Sequence, residues 1–356
     1  MTAVRVDAAR LEGFVRAAFQ ATGMDGAAAA AGADVLVRTS LRGVESHGVA
    51  YLHQYVEQLR KGGADPAARV EAAVDRGALL VLDAGAGLGL SVAAAANEIA
   101  IDRARAHGVS MVAVRNANHF GAAGHYALRC AEAGCIGLVM ANTPPIMAVT
   151  GSRSRSIGNS PVGFGAPRTG APPFVLDIAM SRVAGGKIRM AIQNGEKVPL
   201  GWILDPQGNP TTEPEDFLVH RGALLPIEDH KGYGLSLMVE TLSAALSGAA
   251  MLSAVGNWIY TPETPSGTGY FLMVIDVSAD GAFPDFQDRM RALCQEIAAA
   301  PRAPGVDRIL IPGELEDERE GAARARGLAL RGEVWSRLED VANSLGVHGE
   351  LAAMRR

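Results

Sequence analysis

Glu45-Ser46-His47-Gly48-Val49 sets a hydroxyl beside an imidazole and follows the pair with a residue that has no side chain. Histidine suits proton transfer in both directions near neutral pH, because its ordinary pKa is about 6.5. Alone, the tripeptide also fits a turn after a helix with a capping serine and a surface histidine. Other segments must therefore complete a site. Asn116-Ala117-Asn118-His119-Phe120-Gly121-Ala122-Ala123-Gly124 supplies a second histidine in a glycine-containing loop that leaves a strand and enters a helix. Free amides and the positive end of the helix dipole there suit a phosphate, although a tight turn would use the same residues. Asp177 is an acid embedded in the apolar run Phe174–Ile178, so its carboxylate must find donors, either backbone amides or ribose hydroxyls. Lys187 follows Gly185-Gly186 near a helix start, where the dipole disfavours a cation unless an anion is near. Asp229-His230-Lys231-Gly232-Tyr233-Gly234 repeats the device before the apolar run Leu235–Leu246.

The elements around these residues fall into two kinds. Residues 7–62 and the last 40 or so carry apolar residues at helical spacing, for example Leu11, Phe14, Val15, Ala18 and Phe19, and later Val334, Trp335, Leu338, Val341 and Leu345. His47 falls at a junction between two of these helices. Asp65 to Arg76 reads as a linker. From Ala78 onward short apolar strands alternate with helices: strands at Ala78–Asp83, Val109–Arg115, Ile136–Ala141, Phe174–Ile178, Gly269–Val277 and Arg308–Ile311. That alternation taken alone suggests a parallel sheet. The loop Gly85-Ala86-Gly87-Leu88-Gly89-Leu90 sits where a dinucleotide fingerprint would, but the third glycine position is Leu90 and Asp102 lies inside a helix, so the Rossmann pattern fails. The long Gly151–Gly165 loop is rich in glycine, serine, asparagine and proline, as functional loops often are.

Composition narrows the function classes. The chain has 356 residues, 48% hydrophobic and 20% charged, with a formal charge of -5, which gives no electrostatic reason to expect nucleic acid or an anionic membrane. Cys130, Cys135 and Cys294 are sparse and lack metal-ligand spacing, so they read as core packing in a reducing, cytoplasmic protein, and no metal site is expected. The N-terminus lacks the basic-then-apolar pattern of a secretory signal, and no run is long enough to span a bilayer.

Taken together, the segments resemble the type-2 malate/L-lactate dehydrogenase family, which includes ureidoglycolate dehydrogenase, diketogulonate reductase and cyclic-imine carboxylate reductases. The resemblance rests on Leu41 through Val49, Arg115 through Gly121, Gly158-Asn159-Ser160-Pro161-Val162-Gly163-Phe164-Gly165-Ala166-Pro167, Leu176-Asp177-Ile178-Ala179, Gly186-Lys187, Pro199-Leu200-Gly201-Trp202, His230 through Leu235 and Pro312-Gly313-Glu314, in the family's order over residues 8–346. It implies hydride transfer between NAD(P)H and C2 of a small 2-oxo acid or its imine. It also implies a homodimer and a non-Rossmann α/β cofactor domain with a mixed, largely antiparallel sheet. The matching domain division is a discontinuous helical domain of residues 1–75 and 315–356 around a cofactor- and substrate-binding domain of residues 76–314.

Carried over by position, His47 matches the family's acid/base histidine with Ser46 beside it, and His119 matches a second histidine proposed for that role. His119-Phe120-Gly121, Asp177-Ile178-Ala179, His230-Lys231-Gly232 and Pro312-Gly313-Glu314 match cofactor segments for NAD or NADP, with NAD slightly favoured. Thr143 stands at a substrate contact. Lys187 replaces an aspartate of the imine reductases, which argues for the hydroxy-acid branch and for a catalytic place. Many relatives carry a carboxylate-binding arginine where this chain has Tyr51, so Arg42, Arg153 or Arg155 must take over or the substrate is unusual. Two rivals are weaker. Ser46 lacks the nucleophile-elbow context of a hydrolase, and a non-catalytic nucleotide-binding homologue is kept in view by Tyr51.

Overall fold

A computed structural model describes residues 3–278, 283–352 and 354. From the N-terminus, β1 (Val4–Val6) leads to α1 (Ala8–Ala21), α2 (Gly26–Leu41) and α3 (Leu52–Lys61), then β2 (Glu71–Arg76), β3 (Leu79–Asp83), α4 (Gly89–His107), β4 (Val109–Ala117), α5 (Ala123–Glu132) and β5 (Cys135–Ala141). The chain continues through β6 (Val162–Ala166), β7 (Phe174–Ile178), α6 (Gly185–Asn194), β8 (Ile203–Leu204), β9 (Pro210–Thr211), α7 (Pro214–Leu218) and α8 (His230–Glu240). It ends with β10 (Thr268–Asp276), α9 (Phe286–Ala298), α10 (Glu314–Arg326), β11 (Leu328–Leu330), α11 (Gly332–Leu345) and α12 (His348–Ala352).

The seven-stranded sheet runs β2-β3-β4-β10-β5-β6-β7. Of its six pairings only β3 with β4 is parallel. The parallel sheet suggested by strand-helix alternation is thus corrected, and the mixed, largely antiparallel sheet implied by the resemblance is observed. Strand β10 enters late in sequence yet lies between β4 and β5, so a local pattern could not place it. Its residues alternate between the two faces. Tyr270, Leu272 and Val274 join the large core beneath α4 and α5, while Phe271 and Met273 face Val239 of α8. Burying each such side chain contributes about 1.5–3 kcal/mol.

The two ends of the chain meet, since β1 pairs antiparallel with β11. Asp7 and Asp25 cap α1 and α2 by accepting the amides of Ala9 and Arg10, and of Ala27 and Ala28. One apolar core runs from Leu11 and Phe14 through Leu36 and Leu90 to Tyr270 and Trp335, joining the terminal helices to the sheet. All three cysteines are buried and free, as expected for core packing. Among the described residues no helix is long and apolar enough to cross a membrane.

Two local expectations change. Glu71–Arg76 lies within the expected linker yet forms edge strand β2 on β3. Every residue of it is exposed, so neither face leaves an apolar alternation to read. Residues 308–311 are not a strand: the segment runs beside β7, held by the Val175 amide donating to the Pro312 carbonyl at 2.9 Å, with Ile311 buried.

Candidate active site

His47 sits in a short turn, Glu45–His47, between α2 and α3. Its Nδ1 lies 3.0 Å from Ser46 Oγ. The turn is fixed from behind by Ser40, whose hydroxyl accepts the Val49 amide at 2.9 Å. A side chain at Gly48 would strike that same hydroxyl, its Cβ falling 2.0 Å from the oxygen. His119 comes to the same place from the loop between β4 and α5, and the two imidazoles stack with centroids 5.8 Å apart. The loop owes its shape to Asn118, which is fully buried and donates to the carbonyls of Gly63, Ala86 and Gly87 while accepting from Gln58 and the Ser266 amide. Phe120 anchors it by stacking between Tyr126 and Tyr270. One glycine of the failed fingerprint serves this packing. A Cβ on Gly89 would fall 2.2 Å from the His119 carbonyl, so glycine there lets α4 start directly under the histidine loop.

Two aromatic residues complete the histidine pair. Tyr55 Oη lies 2.7 Å from His119 Nδ1, and Trp258 stacks on the His119 ring at 4.5 Å. Burial raises the Tyr55 phenol well above its usual pKa, so the hydroxyl keeps its proton and can donate it to Nδ1. The Gly121 amide also points at Nδ1, at 3.4 Å. With donors on Nδ1, neutral His119 carries its proton on Nε2. His47 has no such constraint, because the Ser46 hydroxyl can donate or accept.

Both imidazoles titrate low. Burial pushes His47 down to about 4, and burial together with the nearby His47 pushes His119 to about 3. His47 is only partly buried by surface area, but what it faces is a protein-walled cavity that hydrates a cation poorly.

The cavity, about 590 Å³, is lined by Ser46, His47, Tyr51, His119, Phe120, Gly121, Thr143, Asp177, Ile178, Ala179, Pro312, Gly313 and Arg42 among the residues singled out from the sequence. Asp177 opens onto it and accepts the Gly124 amide, so the first turn of α5 already holds a carboxylate where a phosphate was expected. Asp177 is exposed to the cavity by surface area, but the protein walls around it and the charge of Glu316 raise it to about 6 against that bond. Arg42 is buried, ion-paired to Glu320 at 3.2 Å, and donates to the Gly313 carbonyl at 3.4 Å. Burial opposes ionisation of Glu320, yet Arg324, Arg38 and Arg42 hold its pKa below the usual value.

The other predicted positions fall outside the lining. Lys187 is exposed in the first turn of α6. His230 and Lys231 are exposed in the first turn of α8, inside the helix and not in a loop before it. Gly232 lets α8 approach the backbone, since a Cβ there would fall 2.6 Å from the Ile227 nitrogen and the Met180 oxygen. Glu314 caps its own turn by accepting the Ile311 amide and pairs with Arg168 at 3.0 Å, while Glu316 reaches the cavity in its place. Arg155 donates to the Gly222 and Phe217 carbonyls, and Arg153 is exposed. Residue type and spacing do not single out Tyr55 or Trp258. Tyr55 reads as one more apolar residue of a helix, and Trp258 lies in an irregular segment far along the chain.

A nicotinamide dinucleotide fits these residues. The volume is within the range of cofactor pockets, and the Asp177 and Glu316 carboxylates in the lining are acceptors of the kind that ribose hydroxyls donate to. Among the described residues no cluster could hold a metal ion.

A malate/L-lactate dehydrogenase family model matches residues 6–339. The malate dehydrogenase of Pyrococcus horikoshii is 36% identical over 353 residues, 97% of each chain. A solved structure of malate dehydrogenase from that organism covers 97% of this chain and 96% of its own at a TM-score of 0.88. The sulfolactate dehydrogenase of Methanocaldococcus jannaschii is 32% identical, with a TM-score of 0.88 over 96% of this chain and 97% of its own. The delta1-piperideine-2-carboxylate reductase of Pseudomonas syringae is also 32% identical, with a TM-score of 0.85 over 95% and 99%. On the strength of the matched family model and these relatives, the chain belongs to the malate/L-lactate dehydrogenase family.

Proposed function

We propose that this enzyme moves a hydride between a nicotinamide dinucleotide and C2 of a small 2-oxo acid, giving a 2-hydroxy acid, with His47 as the acid/base. The observation that carries the proposal is the stacked pair His47 and His119 opening on the cavity whose lining also includes Asp177 and Pro312-Gly313. The dinucleotide would supply the hydride, and its ribose hydroxyls would meet Asp177 and Glu316. The roles of the two histidines follow from their partners. His119, with donors on Nδ1, offers an Nε2–H to the substrate oxygen. His47 can exchange a proton because Ser46 accommodates either ring tautomer. With a pKa of about 4, His47 is a ready base for alcohol oxidation. In the reducing direction the carboxylate of a bound acid would raise that pKa and so help it carry the proton.

Two carboxylates at one cavity wall favour NAD over NADP, since a 2′-phosphate against Asp177 would cost about 1–4 kcal/mol at contact distance. A screen of 2-oxo acids and cyclic imines with NADH and NADPH should show turnover with NADH preferred, and Asp177→Ser should narrow the preference by about tenfold or more. Coenzyme binding without oxidation by any acid or imine would favour a non-catalytic homologue. Imines belong in the screen because Lys187, outside the cavity lining, does not decide against them.

We also propose a homodimer. Leu235, Leu237 and Met238 of α8 are exposed, as are Leu246, Met251 and Leu252 beyond it, more apolar surface in one stretch than a monomer ordinarily leaves open. Light scattering should give twice the chain mass, and a monomer would contradict the proposal.

A further inference from the structure

The malate and sulfolactate dehydrogenases among the relatives are named for acids that carry a second anionic group, whereas the cavity of this chain carries an aromatic wall beside its histidines. Tyr51 lines it and packs on Trp258 with centroids 5.8 Å apart. Trp258, only 6% exposed, stacks in turn on Tyr55 at 4.8 Å and on His119 at 4.5 Å, and His119 stacks on His47. The proton-handling residues are therefore continuous with an aromatic wall.

Charge points the same way. Among the described residues lining the cavity the one guanidinium or ammonium is Arg42. It is committed to Glu320 of α10 and to the Gly313 carbonyl. Both imidazoles are neutral at pH 7, and Asp177 and Glu316 add negative charge to the lining. A dicarboxylate or a sulfonate would set its second anion against the rings of Tyr51 and Trp258, where Arg42, already paired, is the one cationic side chain in the lining, and an unpaired charge in such a setting is strongly disfavoured. An uncharged side chain would instead bury apolar surface on Tyr51 and Trp258.

We infer that the preferred substrate is a 2-oxo acid, or the matching 2-hydroxy acid, whose side chain is bulky and uncharged, aromatic or branched aliphatic, packed against Tyr51 and Trp258. The inference rests on the hydride-transfer reading and narrows it to a substrate class.

The test compares phenylpyruvate and 4-methyl-2-oxopentanoate with oxaloacetate and sulfopyruvate, using the intact chain and saturating reduced coenzyme. The expected kcat/KM is at least about a hundredfold higher for the uncharged pair, and Tyr51→Arg should shift the ratio toward oxaloacetate by about tenfold or more. Oxaloacetate or sulfopyruvate reduced as efficiently as the uncharged acids would overturn the inference. A parallel arm reads melting temperature with coenzyme plus phenyllactate or malate at equal concentration. A larger rise with phenyllactate supports the selectivity, and a larger rise with malate overturns it. Should no acid be reduced, the hydride-transfer reading fails, while the melting arm still judges the pocket.

Discussion

His47→Ala is expected to lower kcat by about 10²- to 10⁴-fold, the range that positioned general acid/base groups supply, while coenzyme affinity should stay within about twofold. The expectation rests on His47 being the histidine of the pair free to change tautomer, since Ser46 Oγ, 3.0 Å from its Nδ1, can serve as donor or acceptor. Replacing His119 has a different signature. Its Nδ1 faces the Tyr55 hydroxyl and the Gly121 amide, so what it offers is an N–H. Asparagine or glutamine at position 119 should restore part of the activity lost in His119→Ala, and the pH profile set by His47 should persist. Neither amide should rescue position 47. Steady-state kinetics with coenzyme fluorescence titrations distinguish the two. A His47→Ala enzyme that keeps most of its kcat would remove His47 from the acid/base role.

Acid unfolding is the second large effect. His47, His119 and His125 carry pKa values of about 4, 3 and 3, each lowered chiefly by burial; for His125 the charges of Arg38, Arg129 and Arg42 add to it. A histidine held neutral in the fold takes up its proton on unfolding. The stability it contributes is therefore complete above about pH 6.5 and is lost as the pH falls toward the folded value, at about 1.4 kcal/mol per unit of depression. Asp177 works in the opposite sense: raised to about 6, it favours the fold at low pH and loses that contribution as the pH rises through 6. Asp34 and Glu240 are raised by burial and act as Asp177 does. His53, however, is lowered with the other three histidines, and Asp83 and Glu320, held low against their burial by hydrogen-bond and arginine partners, add to the loss in acid, so a net fall in melting temperature is expected between about pH 6.5 and 3. His125 is the cleanest probe, being 6% exposed, with Nε2 3.6 Å from Asp34. His125→Gln should flatten the fall relative to the parent. Parallel melting curves across that window would show that His125 does not titrate as described.

The elements and the site differ in how far the sequence disclosed them. Helices α1 and α11 were legible because each keeps one apolar face. Strand β2 was not, since an edge strand exposed on both sides has no alternation to show. Residues 308–311 misled in the opposite way: Ile311 is buried, but one backbone bond to β7 does not make a strand. Ser46-His47 and His119 stood out as residue types, yet their stacking depends on β4, α2 and α3 meeting in space, which no local pattern states. Trp258 lies farther still from local reading, 139 positions beyond His119 in the numbering and packed on its ring. Gly232 shows why a motif residue need not touch a ligand: its missing side chain lets α8 rest on the backbone of Ile227 and Met180.

The most direct test follows the hydride itself. The protein is given NADH deuterated at one face of C4, a reducible 2-oxo acid and ordinary water, and the product is examined by mass spectrometry and NMR. The account predicts that deuterium from one face, and not the other, appears at C2 of the 2-hydroxy acid. Oxidation of the coenzyme without deuterium at C2 from either face would contradict it.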